Sequence, residues 1–254
     1  MHPEPLTITL LCDPLDPPSP WSPPQMQAYL RGLGHRVDIR SAPDSGSDLV
    51  HALGWAAGRV LASWPAPWIL TPGVELSDDA ADVAAGAQAV LVASNDHAVA
   101  VNRLGIPNFR ISVLPPAVDC ATFTRRGPMA NRTHRFRVVA SLSHDGDGVV
   151  RAVDALRYTP EAELIAVSTG GAAALPLEAE RLAISTGMRS RVAVVEARDD
   201  RERAWWLRSA HAAVTLDDAV AEPGFVAEAM ACGTPVVATP IDSQRELVVH
   251  GITG

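Results

Sequence analysis

Short runs of apolar, largely β-branched residues recur along the chain, and segments with helical spacing separate them. Runs that are apolar throughout are typical of strands buried on both faces, and such strands belong to parallel sheets. The predicted strands are residues 6–11, 37–39, 68–70, 89–93, 111–114, 136–140, 164–167, 192–195, 212–216 and 236–238. The predicted helices include residues 96–104, 148–157, 176–186 and 200–209. Repeated β-α units of this kind predict a doubly wound α/β fold.

One segment breaks this alternation. Residues 124–135, TRRGPMANRTHR, are polar, contain Gly127 and Pro128, and show no periodic apolar position. Such a stretch is typical of a domain boundary. We therefore predict an N-terminal domain at residues 1–124, a linker at 125–135 and a C-terminal domain at 136–254.

A second irregular stretch, DPLDPPSPWSPP at residues 13–24, follows the first predicted strand. Its prolines predict an extended, semi-rigid loop. In an open parallel sheet that position borders the ligand crevice. Docking of a partner protein on the prolines is the alternative interpretation.

Composition excludes several classes of protein. With 47% hydrophobic and 20% charged residues, the chain is typical of a globular protein, and no apolar run reaches the roughly 18 residues of a membrane span. The start lacks a basic region, so we predict a first strand instead of a signal peptide, and a cytoplasmic location. A net charge of −8 argues against nucleic acid as a partner.

Cysteine and lysine usage restricts the chemistry further. Cys12, Cys120 and Cys232 are odd in number and far apart, which predicts free buried thiols and no metal site. Every fixed positive charge is an arginine, because the chain contains no lysine. Any phosphate site must therefore use arginine, backbone amides or helix ends.

The stretch EPGFVAEAMACGTPVVATP, residues 222–240, predicts a helix with a binding end. A proline suits its first turn and Gly233 its end, so the helix covers about residues 224–232. It follows a buried strand, so its first amides, at Gly224, Phe225 and Val226, should meet a phosphate group in the crevice. Glu228, one turn on, suits the two vicinal hydroxyls of a ribose. The alternative is a solvated or salt-bridged glutamate.

Residues 222–254 resemble the donor-site segment of the retaining GT-B glycosyltransferases of family 4. The similarity is specific at residues 228–238, EAMACGTPVVA, and extends in order over most of the chain. Other matching pieces are LGHRVDI, HALGWAAG, LGIPNFRISVLPPAVDCATF and AELIAVSTGG. The resemblance implies two Rossmann-like domains with parallel sheets facing a cleft. A nucleotide-sugar donor would bind the C-terminal domain, a small-molecule or glycan acceptor the N-terminal one, with no cofactor or metal.

Several site roles are implied by this resemblance. Glu228 would hold the donor ribose, and the amides from Gly224 to Val226 would hold the diphosphate or sugar. Arg198 falls where members contact the nucleotide base. His51, a candidate catalytic residue, would lie in an acceptor-side loop bordering the reaction centre.

The first acidic position of the family motif has two candidates. Glu222 occupies it as a second catalytic residue if the loop has shifted by two residues. An ungapped alignment places Val220 there instead, and the sequence leaves both open.

Other positions depart from the family. Ser141, at the donor site, stands where members have an arginine that neutralises the leaving diphosphate. Asp145 and Asp147 add negative charge nearby, which repels a diphosphate. Leu53 replaces a second histidine. The chain stops at GITG, where members continue, so we expect a shortened form or a fragment with an incomplete C-terminal domain.

Three functions remain open at this stage. The first is retaining transfer of a sugar from a nucleoside-diphosphate sugar to an acceptor. The second is a non-catalytic GT-B homologue that binds a sugar nucleotide or a protein partner. The third is a nucleotide-sugar epimerase, which needs acid/base carboxylates that the sequence does not identify. Homo-oligomerisation is also left open.

Overall fold

The computed structural model describes residues 4–13, 22–73, 76–115, 117–142, 147–168, 176–216 and 223–254. Contacts between Cα atoms divide the chain into two compact units, Met1–Pro116 and Ala117–Gly254. Each unit is built around a parallel sheet. None of the helices in the described ranges is long and apolar enough to cross a membrane.

The first unit contains one sheet with the order β2-β1-β3-β4-β5-β6 over its described residues. Its strands are β1 (Thr7–Cys12), β2 (Arg36–Arg40), β3 (Leu49–Leu53), β4 (Trp68–Thr71), β5 (Ala89–Val92) and β6 (Ile111–Val113). Its helices are α1 (Pro23–Gly32), α2 (Trp55–Val60), α3 (Ala80–Gly86) and α4 (Asn95–Arg103). Val50, Leu70 and Val90 are fully buried on the central strands, which places the core between the sheet and α2 to α4.

The second unit contains a sheet with the order β11-β10-β7-β8-β9. Its strands are β7 (Phe136–Ser141), β8 (Ala162–Ser168), β9 (Val192–Glu196), β10 (Ala212–Thr215) and β11 (Val236–Ala238). Its helices are α5 (Asp147–Ala155), α6 (Leu177–Ser185), α7 (Asp200–Ser209), α8 (Pro223–Ala231) and α9 (Asp242–Leu247). All residues of β8 are buried, as expected for a strand covered on both faces.

The predicted α/β fold with parallel sheets is confirmed, and each predicted strand lies on a strand of the structure. The structure also contains β3, which was not predicted as a strand and which includes His51, a residue expected in a loop. It lies between β1 and β4, where His51 pairs with Leu10 on one side and Ile69 on the other. The apolar run LVHAL is interrupted by this histidine, which hides the strand.

The two units divide earlier than the boundary predicted after residue 124. Phe123 is 2% exposed and packs into the core of the second unit. Arg208 of α7 donates hydrogen bonds to the carbonyl oxygens of Thr122, Thr124 and Pro128, at 3.2, 3.3 and 2.8 Å. These contacts attach the segment that follows Pro116 to the second unit.

Arginine side chains join backbone carbonyls at the ends of elements. Arg191 donates to the carbonyl oxygens of Leu156, Thr159 and Ala162, at 3.2, 2.9 and 3.0 Å. Like Arg208, it thereby connects several backbone carbonyl oxygens through one guanidinium.

The cysteines are free, as predicted, but they are not all buried. Cys232 is buried, and burial raises the pKa of its thiol to about 11. Cys12 is partly buried and Cys120 is exposed. The expectation of three buried thiols is wrong at Cys120, which lies in a turn near the start of the second unit, and holds only in part at Cys12.

Candidate functional site

The N-terminal turn of α8 presents backbone amides. The first amides of a helix have no carbonyl partner within that helix, and here they belong to Gly224, Phe225 and Val226. The side chains of Phe225 and Val226 are 4% and 0% exposed and pack into the core of the second unit. These two residues therefore offer a ligand their backbone and not their side chains.

Gly224 lies on the same face of α8 as Glu228. A Cβ atom built on Gly224 would lie 3.9 Å from Oε1 of Glu228, and among the described residues no other heavy atom comes within 4 Å. Among the described residues, the missing side chain thus leaves space beside the carboxylate.

Glu228 is held by an arginine of the preceding helix. Its side chain is 12% exposed, and its Oε1 accepts a hydrogen bond of 2.5 Å from Nη2 of Arg203. The same nitrogen donates to Oδ1 of Asp200 at 3.0 Å. The Arg203 guanidinium also lies 5.3 Å from the centre of the Phe123 ring. Of the two interpretations of Glu228, the structure contains the salt-bridged one, and ribose binding stays a prediction.

Arg203 is a residue that the sequence analysis missed. It stands 25 positions from Glu228 in the sequence, so no local spacing relates the two. The available signal is its place in α7 beside Ala204 and one turn before Leu207, both fully buried. A charged side chain near such positions points along a partly covered surface and needs a partner.

Arg198 lies in the turn between β9 and α7. Its side chain is 79% exposed, and its Nε donates to Oε2 of Glu202 at 2.8 Å. This hydrogen bond raises the pKa of Arg198 and lowers the pKa of Glu202. Contact of Arg198 with a nucleotide base stays a prediction.

Ser141 is the last residue of β7 and is 4% exposed. Its neighbour Ala140 pairs with Val214 of the adjacent β10, the strand that precedes α8. Ser141 therefore lies at the carboxyl edge of the sheet, the edge at which β10 also ends. Asp147 begins α5 after this edge, whereas Asp145 lies outside the described residues.

Of the two residues predicted to be catalytic, His51 is among the described residues. His51 lies within β3 of the first unit, not in a loop, because the sheet continues through it. It is 4% exposed, and its Nε2 lies 2.7 Å from Oγ1 of Thr71. Burial lowers the pKa of His51 to about 4, so the ring is neutral at pH 7. Glu222, like Val220, lies outside the described residues.

The second unit therefore combines two kinds of group on α8. Amides at a helix N-terminus stabilise an anion, and a partly buried carboxylate accepts hydrogen bonds from hydroxyl groups. A ligand with a phosphate close to a diol matches this pair.

Comparison with known proteins shows similarity over the second unit and over most of the chain. Residues 135–254 match the family model described as Glycosyl transferases group 1. The chain is 31% identical to a D-inositol 3-phosphate glycosyltransferase of Xylanimonas cellulosilytica, over 91% of this chain and 64% of the relative. It is 25% identical to a protein of the same name from Frankia alni, over 82% of this chain and 61% of that protein. The chain thus spans less than two thirds of the length of these relatives.

Solved structures share the fold. The Anabaena protein Alr3699/HepE, in complex with UDP-glucose, has a TM-score of 0.72 at 19% identity and covers 98% of this chain and 84% of its own. A glycosyltransferase from Rickettsia africae has a TM-score of 0.70 at 13% identity, covering 99% of this chain and 83% of its own. At such identities the likeness shows the fold alone. Residues 135–254 are thus similar to the group 1 glycosyltransferases, and the chain has a GT-B-like fold.

Proposed function

We propose that the protein transfers a sugar from a nucleoside-diphosphate sugar to a small-molecule or glycan acceptor. The observation that carries this proposal is that the first amides of α8 and the Glu228 side chain lie within two turns of the same helix. The Glu228 side chain is 12% exposed and lies next to Gly224. The family match over residues 135–254 and the UDP-glucose complex of the Anabaena protein support it.

The donor site is assigned on α8. The amides of Gly224, Phe225 and Val226 bind the diphosphate, with the positive end of the helix dipole behind them. Glu228 accepts hydrogen bonds from the ribose hydroxyls, and Arg198 contacts the base. No metal or cofactor takes part in the proposal.

Transfer is proposed to retain the anomeric configuration of the sugar. The bond between the anomeric carbon and the diphosphate breaks, and the acceptor oxygen forms the new glycosidic bond on the same face. The proton of the acceptor hydroxyl passes to the departing diphosphate. The protein contributes position and charge stabilisation.

His51 and Glu222 are the residues proposed to act at the reaction centre. His51 enters only as a neutral hydrogen-bonding group, because its pKa is lowered to about 4. Glu222 is proposed as the carboxylate for the transferred sugar. D-inositol 3-phosphate is a reasonable first acceptor, since two relatives are named for it.

Calorimetric titration with UDP, GDP, ADP and dTDP tests the donor site. We expect one diphosphate to bind saturably and Glu228→Gln to weaken its binding at least about tenfold, the scale of a hydrogen bond to a charged group. Glu178→Gln, an exposed glutamate of α6, is the matched control and should leave binding unchanged. Absence of binding by a folded chain would contradict the proposal.

A non-catalytic sugar-nucleotide binder is the second candidate. It is favoured by the neutral Ser141 and the acidic Asp147 at the edge where a leaving diphosphate needs positive charge. Incubation with UDP-glucose and an acceptor panel separates the two functions. Release of UDP together with a glycoside, whose anomeric configuration NMR determines, supports transfer. Tight donor binding without release supports the second candidate.

A further inference from the structure

The ion pair between Arg203 and Glu228 is less exposed than the surface ion pairs of the second unit, although the Arg137–Glu163 pair, at 2% and 4% exposed, is buried more deeply. The Arg203–Glu228 pair joins two helices, α7 and α8, and its side chains are 16% and 12% exposed. By contrast, Arg198 and Glu202 lie four residues apart at the start of one helix, with the arginine 79% exposed. A pair in a partly dry environment is held more firmly than an exposed one, because water competes less for its hydrogen bonds.

Arg203 is itself fixed from two further directions. Asp200, one turn earlier on α7, accepts a hydrogen bond from its Nη2, and the ring of Phe123 lies beneath its guanidinium. Phe123 is 2% exposed, so this ring is immobilised by the core of the second unit. The guanidinium therefore holds the Glu228 carboxylate from a defined position.

We propose that Arg203 is a positioning residue that orients the Glu228 carboxylate for the ribose hydroxyls of the donor. The inference rests on the proposed function and assigns Arg203 no contact with the substrate. A glutamate side chain has three rotatable bonds, and fixing them before the ligand arrives lowers the entropic cost of binding. Loss of Arg203 should thus weaken recognition of the ribose specifically, and not binding of the nucleotide in general.

The test compares UDP with 2′-deoxy-UDP, or the equivalent pair for whichever base the unchanged chain binds. The ratio of their dissociation constants measures recognition of the 2′-hydroxyl alone. The variants are Arg203→Met, which keeps much of the stem and removes the charge, Arg203→Lys, Glu228→Gln and the double variant Arg203→Met/Glu228→Gln. Arg135→Met is the matched control, because Arg135 forms an exposed pair with Glu161 at 3.1 Å.

We expect the unchanged chain to prefer UDP about tenfold, as for one hydrogen bond to a charged group, and Arg203→Met to bring the ratio close to one. Arg203→Lys should lie between them, since it keeps the charge but loses the planar geometry. In the Glu228→Gln background, Arg203→Met should change the ratio no further, because both act through one carboxylate. Arg135→Met should leave the ratio unchanged.

Equal weakening of both nucleotides by Arg203→Met would overturn the proposal, since that is the effect of a purely structural or phosphate-binding arginine. If circular dichroism shows that Arg203→Met does not fold, Arg203→Lys is the deciding variant. The proposal is overturned if Arg203→Lys has the same ratio of dissociation constants as the unchanged chain. If Glu228→Gln removes the preference for UDP over 2′-deoxy-UDP but the Arg203 variants keep it, the role of Arg203 is refuted while that of Glu228 stands. No binding by the unchanged chain overturns the proposed function as well.

Discussion

His51 is a titratable group enclosed in the sheet of the first unit. Its ring lies on β3, is 4% exposed, and contacts the Thr71 hydroxyl. Burial disfavours the charged ring and lowers its pKa from 6.5 to about 4. Between these values the unfolded chain takes up a proton that the folded chain does not. The free energy of unfolding therefore does not change through His51 above pH 6.5, and it decreases as the pH falls from 6.5 towards 4.

We predict that lowering the pH from 7 to 5 destabilises the first unit by roughly 2 kcal/mol through His51 alone, at about 1.4 kcal/mol per pH unit below 6.5. Urea unfolding at both pH values, compared between the unchanged chain and His51→Gln, measures this share. The difference between the two proteins should shrink at pH 5. His250→Gln, at an exposed position, should retain the pH dependence of the unchanged chain. A difference that does not vary with pH would refute the neutral buried ring.

At the scale of single residues, the sequence predicted one of the two partners in the ion pair between Arg203 and Glu228. Glu228 is identifiable because it lies within a continuous stretch that specifies a helix, its start and its end. Arg203 is not, because its partner is reached only when α7 and α8 pack together. The family resemblance placed His51 in a loop, and the interruption of the apolar run by this histidine left β3 unrecognised. Local patterns reveal neither partners across elements nor a polar side chain satisfied inside a sheet.

The first turn of α8 is the element on which the proposed donor site depends. Gly224→Ala adds a methyl group whose nearest described neighbour is Oε1 of Glu228, at an ordinary contact distance of 3.9 Å. We predict a free energy of unfolding that is unchanged or raised by about 0.5 kcal/mol, because alanine favours helix. Binding of the nucleoside diphosphate should weaken, since the methyl group occupies the space beside the amides. Thermal unfolding and calorimetric titration measure the two effects separately.

Gly233, after the end of α8, provides the opposite control. Its φ is +75°, and an added Cβ would lie 2.7 Å from Nε of Arg125. Gly233→Ala should cost roughly 1–2 kcal/mol of stability from the left-handed backbone, while the amides of the first turn keep their positions. Unchanged nucleotide binding by Gly224→Ala would contradict the assignment of the donor site to this turn.

At the scale of elements, the sequence was most informative where strands are buried on both faces. β8 is buried throughout, and its residues 164–167 form an uninterrupted apolar run. The end of α8 followed from Gly233, whose amide donates to the carbonyl of Met230 at 2.9 Å. The short α2 carries a buried glycine and tryptophan, a composition without a clear helical period. Elements that tertiary packing stabilises, and not their own periodicity, escape a sequence-based prediction.

The whole chain consists of two units with separate hydrophobic cores among the described residues. We predict that residues 117–254, produced alone, unfold cooperatively. Residues 125–254 should be less stable by about 3–5 kcal/mol, because they lack Phe123 and leave a cavity of its size. Denaturant unfolding of the two proteins tests this. Equal stability would show that the segment before residue 125 is not part of the second core.

The arginine contacts with backbone carbonyls have a consequence for the response of the molecule to ionic strength. Exposed ion pairs such as Arg135 with Glu161, 71% and 57% exposed, are attractions between two charges that dissolved salt screens. The bonds from Arg191 and Arg208 end on neutral oxygens and lie against the surface of the unit. Salt leaves such short contacts between a charge and a dipole largely intact. In this chain, which has 21 arginines and no lysine, the hydrogen bonds of Arg191 and Arg208 to backbone carbonyls should therefore persist at salt concentrations that weaken the exposed ion pairs.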